Sequence, residues 1–217
     1  MSPDLRNANY DEFLEFVFDH YPEHEVDKKW YWQLEEEVQI VPSRAIEYMT
    51  RLCADSAQLL EQYTPMQIAE GLNYVFGAAG HTAFLDQLWN PDIAWPARRR
   101  CILAIPHLYK NVLERAADGV GGCAYMLWDS IAYDYYCGNR DPDKQPEDAR
   151  VQDTMLEALK GMLASDHPET QRGALHGLGH LSHRDSARAI RTFLSSDRNL
   201  DGAVRTYAGE VLEGYFQ

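Results

Sequence analysis

Two imidazoles one helical turn apart are the clearest candidates for chemistry in this 217-residue chain. In Gln171-Arg172-Gly173-Ala174-Leu175-His176-Gly177-Leu178-Gly179-His180-Leu181 the leucines at 175, 178 and 181 form one stripe. At about 100° per residue, His176 and His180 then project from the opposite side together with Arg172. Imidazoles at i and i+4 can share a metal ion, and zinc needs at least a third ligand, which His183 supplies if the helix runs that far. Ser182 to Asp185, however, reads as a helix stop followed by a new cap. The reading adopted is a polar face that packs on a neighbouring repeat or meets water. A metal-binding, enzymatic centre on His176, His180 and His183 is the alternative, and no cofactor is expected.

Two aromatic and acidic constellations follow. Trp30-Tyr31-Trp32 precedes Glu35-Glu36-Glu37, and rings bordered by carboxylates suit a protein-binding patch whose acids select a basic partner. Trp30, Leu34 and Val38 are spaced by four, so an ordinary amphipathic helix also explains the pattern. In Trp128-Asp129 and Tyr133-Asp134-Tyr135-Tyr136, the side chains of Asp129, Tyr133 and Tyr136 share a helix face. A partly buried carboxylate among phenols is either a group with a shifted pKa or a hydrogen-bonded buttress. The expected partner-binding residues are Trp30, Trp32, Glu35, Glu36, Tyr133 and Tyr136. Arg98-Arg99-Arg100 opens a helix against its dipole and should find carboxylates nearby. The glycines at 119, 121 and 122 form neither GxGxxG nor a P-loop, and neither a GxSxG elbow nor a His-Glu-x-x-His helix is present. Gly173, Gly177 and Gly179 are better suited to close helix packing.

The elements that must position these residues are helical. Ala158-Leu159-Lys160-Gly161-Met162-Leu163-Ala164-Ser165-Asp166 reappears 31 residues on as Ala189-Ile190-Arg191-Thr192-Phe193-Leu194-Ser195-Ser196-Asp197. Each copy precedes a second amphipathic segment, in which Arg172, Leu175 and Leu178 correspond to Arg205, Ala208 and Val211 at an offset of 33. A period of this size is the signature of stacked helical hairpins, none of which can bury its apolar face alone. A fainter third copy runs from Phe84 through Asn90-Pro91-Asp92 to Arg99, Ile102 and Ile105.

Upstream, Phe13, Phe16 and Val17 mark a helix over residues 10 to 19 that Tyr21-Pro22 ends. Apolar residues recur from Ile46 to Tyr63 at three- and four-residue steps, predicting a helix of about five turns from Pro42. Thr64 caps the next helix, with Pro65 at its first position and Ile68, Leu72, Val75 and Phe76 buried. Gly77 to Gly80 breaks the chain before a short helix through Phe84, Leu85 and Leu88. Residues 97 to 117 read as a long helix kinked at Pro106. Residues 122 to 137, through Ala124, Met126, Trp128, Ile131 and Tyr135, are apolar on nearly every side, which predicts a central buried helix. Strand signals are lacking, so the fold class is all-α. Without a Gly/Ser-rich or Pro-rich linker, one domain over 1–217 is expected. Residues 1–66 form an acidic N-terminal helical layer, and 150–215 hold the clearest repeats.

On the passage from Ala158 to Asp166 and the segment Gln171 to Leu181, the chain resembles the HEAT-like repeats of the armadillo-type superhelical class. The resemblance covers residues 150 to 215. It implies an α-α superhelix of stacked hairpins and, for most members, protein binding along a concave surface. The HEAT-type hydroxylases carry metal on paired His-Glu dipeptides. Here the one His-Glu is His24-Glu25, away from the repeat helices.

The net charge of −14 is concentrated at the start: −9 for residues 1–66, −4 for 67–148 and −1 for 149–217. Such a surface repels phosphate backbones and anionic lipid and speeds encounter with a basic protein. No apolar run approaches the roughly 18 residues of a membrane span, and Met1-Ser2-Pro3-Asp4-Leu5-Arg6 has no secretory character, so a cytoplasmic protein is expected. Cys53, Cys101, Cys123 and Cys137 show no CxxC spacing and are expected as reduced core residues. Together these features predict a non-enzymatic interaction module for a basic protein partner, with no nucleic-acid or membrane partner. The immunity proteins of bacterial toxin systems exemplify that task. The other alternative is a structural subunit that self-associates through its last helix, where Val204, Tyr207, Ala208, Val211, Leu212 and Tyr215 need cover. The oligomeric state stays open.

Overall fold

The computed structural model describes residues 3–22, 25, 28–196 and 199–216, without the side chains of residues 78, 117–121 and 124. Expectations on Met1, Ser2, His24 and Asp197, and on the side chain of Ala124, lie outside the described residues. Ten α-helices are described: α1 (Tyr10–Phe18), α2 (Pro42–Ala54), α3 (Leu59–Gln62), α4 (Pro65–Phe76), α5 (Trp95–Leu108), α6 (Ala117–Tyr136), α7 (Pro146–Leu163), α8 (Pro168–Leu181), α9 (Ser186–Leu194) and α10 (Gly202–Leu212). Among the described residues there is no strand beyond one isolated parallel bridge, Asp4 to Gln39. The all-α class is thereby shown. The chain divides into two compact units, Met1–Cys123 and Ala124–Gln217, and the division falls inside α6, where no linker composition marks it.

In the first unit, α1 begins at a capping box. The Asn9 side chain accepts from the Asp11 and Glu12 amides, and the Glu12 carboxylate accepts from the Asn9 amide. α4 begins likewise, at Thr64 and Gln67 with Pro65 in the first position, as its sequence predicts. α2 packs along α5 and α1 on α4. The second contact depends on Gly71, where a Cβ would stand 2.3 Å from the Phe18 ring.

Several expected elements are shorter or different. The five-turn helix from Pro42 stops at Ala54, and a 3-10 turn over Ser56–Gln58 separates it from α3. The Ser56 hydroxyl donates to the Cys53 carbonyl at 2.9 Å, a local bond that competes with continuing the helix. Trp30 to Val38 is no amphipathic helix: one 3-10 turn, Trp30–Gln33, leads into extended chain that pairs with residues 3–5. Leu85–Leu88 is likewise a single 3-10 turn, so the faint third repeat has no first helix. α5 contains Pro106 and passes directly into a π-helical turn, Tyr109–Leu113, closed by the Glu114 amide donating to the Tyr109 carbonyl at 2.9 Å. Arg98 is buried and donates to the carbonyls of Ile93 and Leu88.

In the second unit both copies of the repeated passage fold as helix–turn–helix. Ala158–Leu163 ends α7 before α8, and Ala189–Leu194 ends α9 before α10. α8 is the middle element and packs against α7, α9 and α10. Two of the three glycines predicted to allow close packing meet bulky neighbours. A Cβ on Gly177 would lie 2.7 Å from Leu159 and 2.8 Å from Trp128, and one on Gly179 would lie 2.7 Å from Phe216. Trp128 is fully buried and its indole N–H points at the Met162 sulfur, 3.3 Å away. α6 is less uniformly buried than its composition predicts. Leu127, Trp128, Ile131, Ala132 and Tyr135 are buried, whereas Met126, Tyr133 and Tyr136 are partly exposed. Of the residues expected to need cover at the last helix, Val204, Ala208 and Val211 are buried and α10 packs on α8, Tyr207 and Leu212 are half-buried, and Tyr215 is exposed. All four cysteines are free; Cys53, Cys101 and Cys123 are buried, but Cys137, just beyond the end of α6, is exposed. Among the described residues no helix is long and apolar enough to cross a membrane.

Candidate functional site

His176 and His180 lie on the side of α8 away from Leu175 and Leu178, yet that side is also enclosed. The two residues are 2 % and 5 % exposed. Tyr125, Asp129 and Tyr136 of α6, Tyr207 of α10 and Phe216 beyond α10 surround them. The two imidazoles thus pack on neighbouring elements, while Arg172 on the same face remains partly exposed.

Each imidazole has one engaged nitrogen. His176 Nδ1 and the Tyr207 hydroxyl are 2.9 Å apart, and that hydroxyl is 2.8 Å from the hydroxyl of Tyr125. His180 Nε2 is 3.1 Å from Asp129 Oδ1. The other two nitrogens, His176 Nε2 and His180 Nδ1, are buried with no hydrogen-bond partner among the described residues. A buried polar atom left unmatched costs about 1–3 kcal/mol, so two in adjacent side chains are unusual in a purely structural cluster. The ring centroids stand 4.6 Å apart. One donor atom each from His176, His180 and Asp129 lie within 4.8 Å of one another.

The electrostatics follow from enclosure. Burial, and then the neighbouring His180, lower the pKa of His176 from 6.5 to about 4. Burial lowers His180 as well, against the opposing pull of the Asp129 carboxylate. Burial and the hydrogen bond between its hydroxyl and that of Tyr125 raise Tyr207. At neutral pH both imidazoles are therefore uncharged, the form in which imidazole ligates metals.

His183 does not join this cluster. α8 stops at Leu181 and Ser182 adopts a left-handed conformation (φ 51°), which turns the chain away. His183 Nε2 then meets Asp153 at 2.9 Å, and its Nδ1 accepts from the Asp185 amide. Asp129 stands where the sequence suggested His183. Its partner is His180, not the phenols of Tyr133 and Tyr136; Tyr133 is exposed and Tyr136 packs edge-on against the His180 ring, 5.1 Å away. Two constellations that looked separate in the sequence are therefore one. Tyr125 and Tyr207 completed it unforeseen, although Tyr125 and Asp129 carry the same i, i+4 spacing as the histidines.

In the first unit, Trp30 is an anchor more than a contact residue. Its ring stacks on His20 at 3.9 Å and 10°, and packs against Phe16 and Tyr74. Its neighbour in sequence, Lys29, forms a largely buried ion pair with Glu70. Trp32, two residues on, is 50 % exposed, and the residues Glu35, Glu36 and Glu37 are exposed beside it in sequence.

Comparison with protein-family models, with curated proteins and with solved structures finds no match to this chain.

Proposed function

We propose that this chain is a helical-repeat module that works by binding a basic protein. The observation that carries the reading is the exposed Trp32. It is held on a short turn by the anchored Trp30 and followed by exposed Glu35, Glu36 and Glu37, in the part of the chain with a net charge of −9. A rigid ring supplies contact area at small entropic cost, and the carboxylates choose the sign of the partner. In the second unit, Tyr133 and Tyr136 offer further exposed aromatic surface. The pairs α7–α8 and α9–α10 support the finer reading of stacked HEAT-like hairpins in a superhelix. Neutralising a basic toxin, as immunity proteins do, is one task that suits this charge. Self-association through the last helix is the second reading; exposed Tyr215 favours it, and the burial of Val204, Ala208 and Val211 speaks against it.

The test is parallel affinity capture from the native host with the wild-type protein and with Trp32→Ala combined with Glu35→Gln, Glu36→Gln and Glu37→Gln. The reading expects a basic protein recovered by wild type and lost by at least tenfold in the variant. Equal recovery by both proteins, or an acidic partner, would refute it.

A further inference from the structure

We infer that the second unit contains a binding site for a first-row divalent transition ion of the Zn2+ class, formed by His176, His180 and Asp129. This site is independent of the acidic surface proposed above.

Three observations converge on it. First, the donor set is two imidazoles and one carboxylate, with one candidate ligand atom of each within 4.8 Å of the others. That combination suits borderline metals such as zinc, cobalt and iron, whereas magnesium and calcium seek oxygen. Second, two imidazole nitrogens in the cluster are buried and unmatched, His176 Nε2 and His180 Nδ1. The hydrogen bond at His176 Nδ1 leaves Nε2 as that ring's available donor, and Tyr207 orients the ring from behind, as outer-shell partners of metal-bound histidines do. Third, the ligands sit on regular helices, α6 and α8, whose close approach at Gly177 and Trp128 fixes their separation.

His176 binds through Nε2, Asp129 through a carboxylate oxygen, and His180 through a ring nitrogen. Where His180 uses Nε2, the ion takes the place of the present 3.1 Å contact with Asp129. Three protein donors leave at least one position for water or an exogenous group. A surface cavity lined by Tyr207, Glu210, Gly214, Tyr215 and Phe216 includes two residues that touch the imidazoles, Tyr207 against His176 and Phe216 against His180.

The experiment is titration of the purified, chelator-treated full chain with Co2+ and with Zn2+. Co2+ is followed by visible d–d absorption, Zn2+ by competition with a chromophoric chelator. The expected result is one ion per chain, with a cobalt spectrum of nitrogen and oxygen ligation displaced by Zn2+. His176→Gln and His180→Gln should weaken binding at least 100-fold, and Tyr207→Phe, which removes only the orienting hydroxyl, by about 10-fold. His183→Gln should leave binding unchanged. Asp129→Asn, at a carboxylate that is partly solvent-accessible, provides a substitution that spares the buried imidazoles, and circular dichroism checks that each variant folds. Failure of the wild-type protein to take up stoichiometric Co2+ would overturn the site. So would binding that survives His176→Gln and Asp129→Asn, which would place the ion elsewhere on the chain.

Discussion

The pKa of His176 expresses what its surroundings demand. In the metal-free protein the folded imidazole titrates near 4, against 6.5 for a free histidine. Between those values the unfolded chain holds a proton that the folded chain does not, so stability is complete above pH 6.5 and falls as the pH drops toward 4. His180 shifts in the same direction with Asp129 opposing it, and the neighbouring groups that face the pair are Tyr125, Tyr207 and Arg172. Urea midpoints measured from about pH 7 to pH 5 should fall more steeply for wild type than for His176→Gln; parallel slopes would show that His176 is not held neutral. Much of this residue was legible in advance, since helical spacing separated His176 and His180 from the leucine stripe. What spacing could not reveal was enclosure of the second face as well, because the covering groups come from α6 and α10, far away in sequence. Nor could it exclude His183, whose fate is decided by one left-handed residue, Ser182.

Helices α6 and α8 owe their approach to an absent side chain. Trp128 sits over Gly177, where even a methyl group would come within 2.7 Å of Leu159 and 2.8 Å of Trp128. Gly177→Ala should therefore cost about 1–3 kcal/mol despite its better helix propensity. Denaturant unfolding measures this directly, and an unchanged or raised stability would mean that the contact is looser than described. The elements legible in the sequence were those with an explicit start, such as α4 at Thr64-Pro65, and the helices of the repeated passage, α7 to α10. Periodicity failed where apolar spacing outlasts the helix. Leu59 continues the phase of Leu52 although the chain breaks at Asp55, and Trp30, Leu34 and Val38 keep a spacing of four through a 3-10 turn and extended chain. At Trp30, stacking on His20 and a tilted contact with Tyr74 replace helical packing, and no local pattern encodes that pairing.

For the molecule as a whole, the distribution of charge is the property most plainly written in the sequence, and the all-helical class follows from its patterning. Division into two compact units was not legible, because the boundary lies within a continuous helix and leaves no trace in composition. Acidity concentrated in residues 1–66 makes long-range attraction the first step of any encounter with a basic partner. That claim is tested most directly by the rate of association with the captured partner as ionic strength rises from about 20 to about 300 mM. The account predicts a fall of at least tenfold in the association rate for wild type, and a flatter, slower profile when Glu35, Glu36 and Glu37 are neutralised. A rate independent of salt, identical in the two proteins, would contradict it.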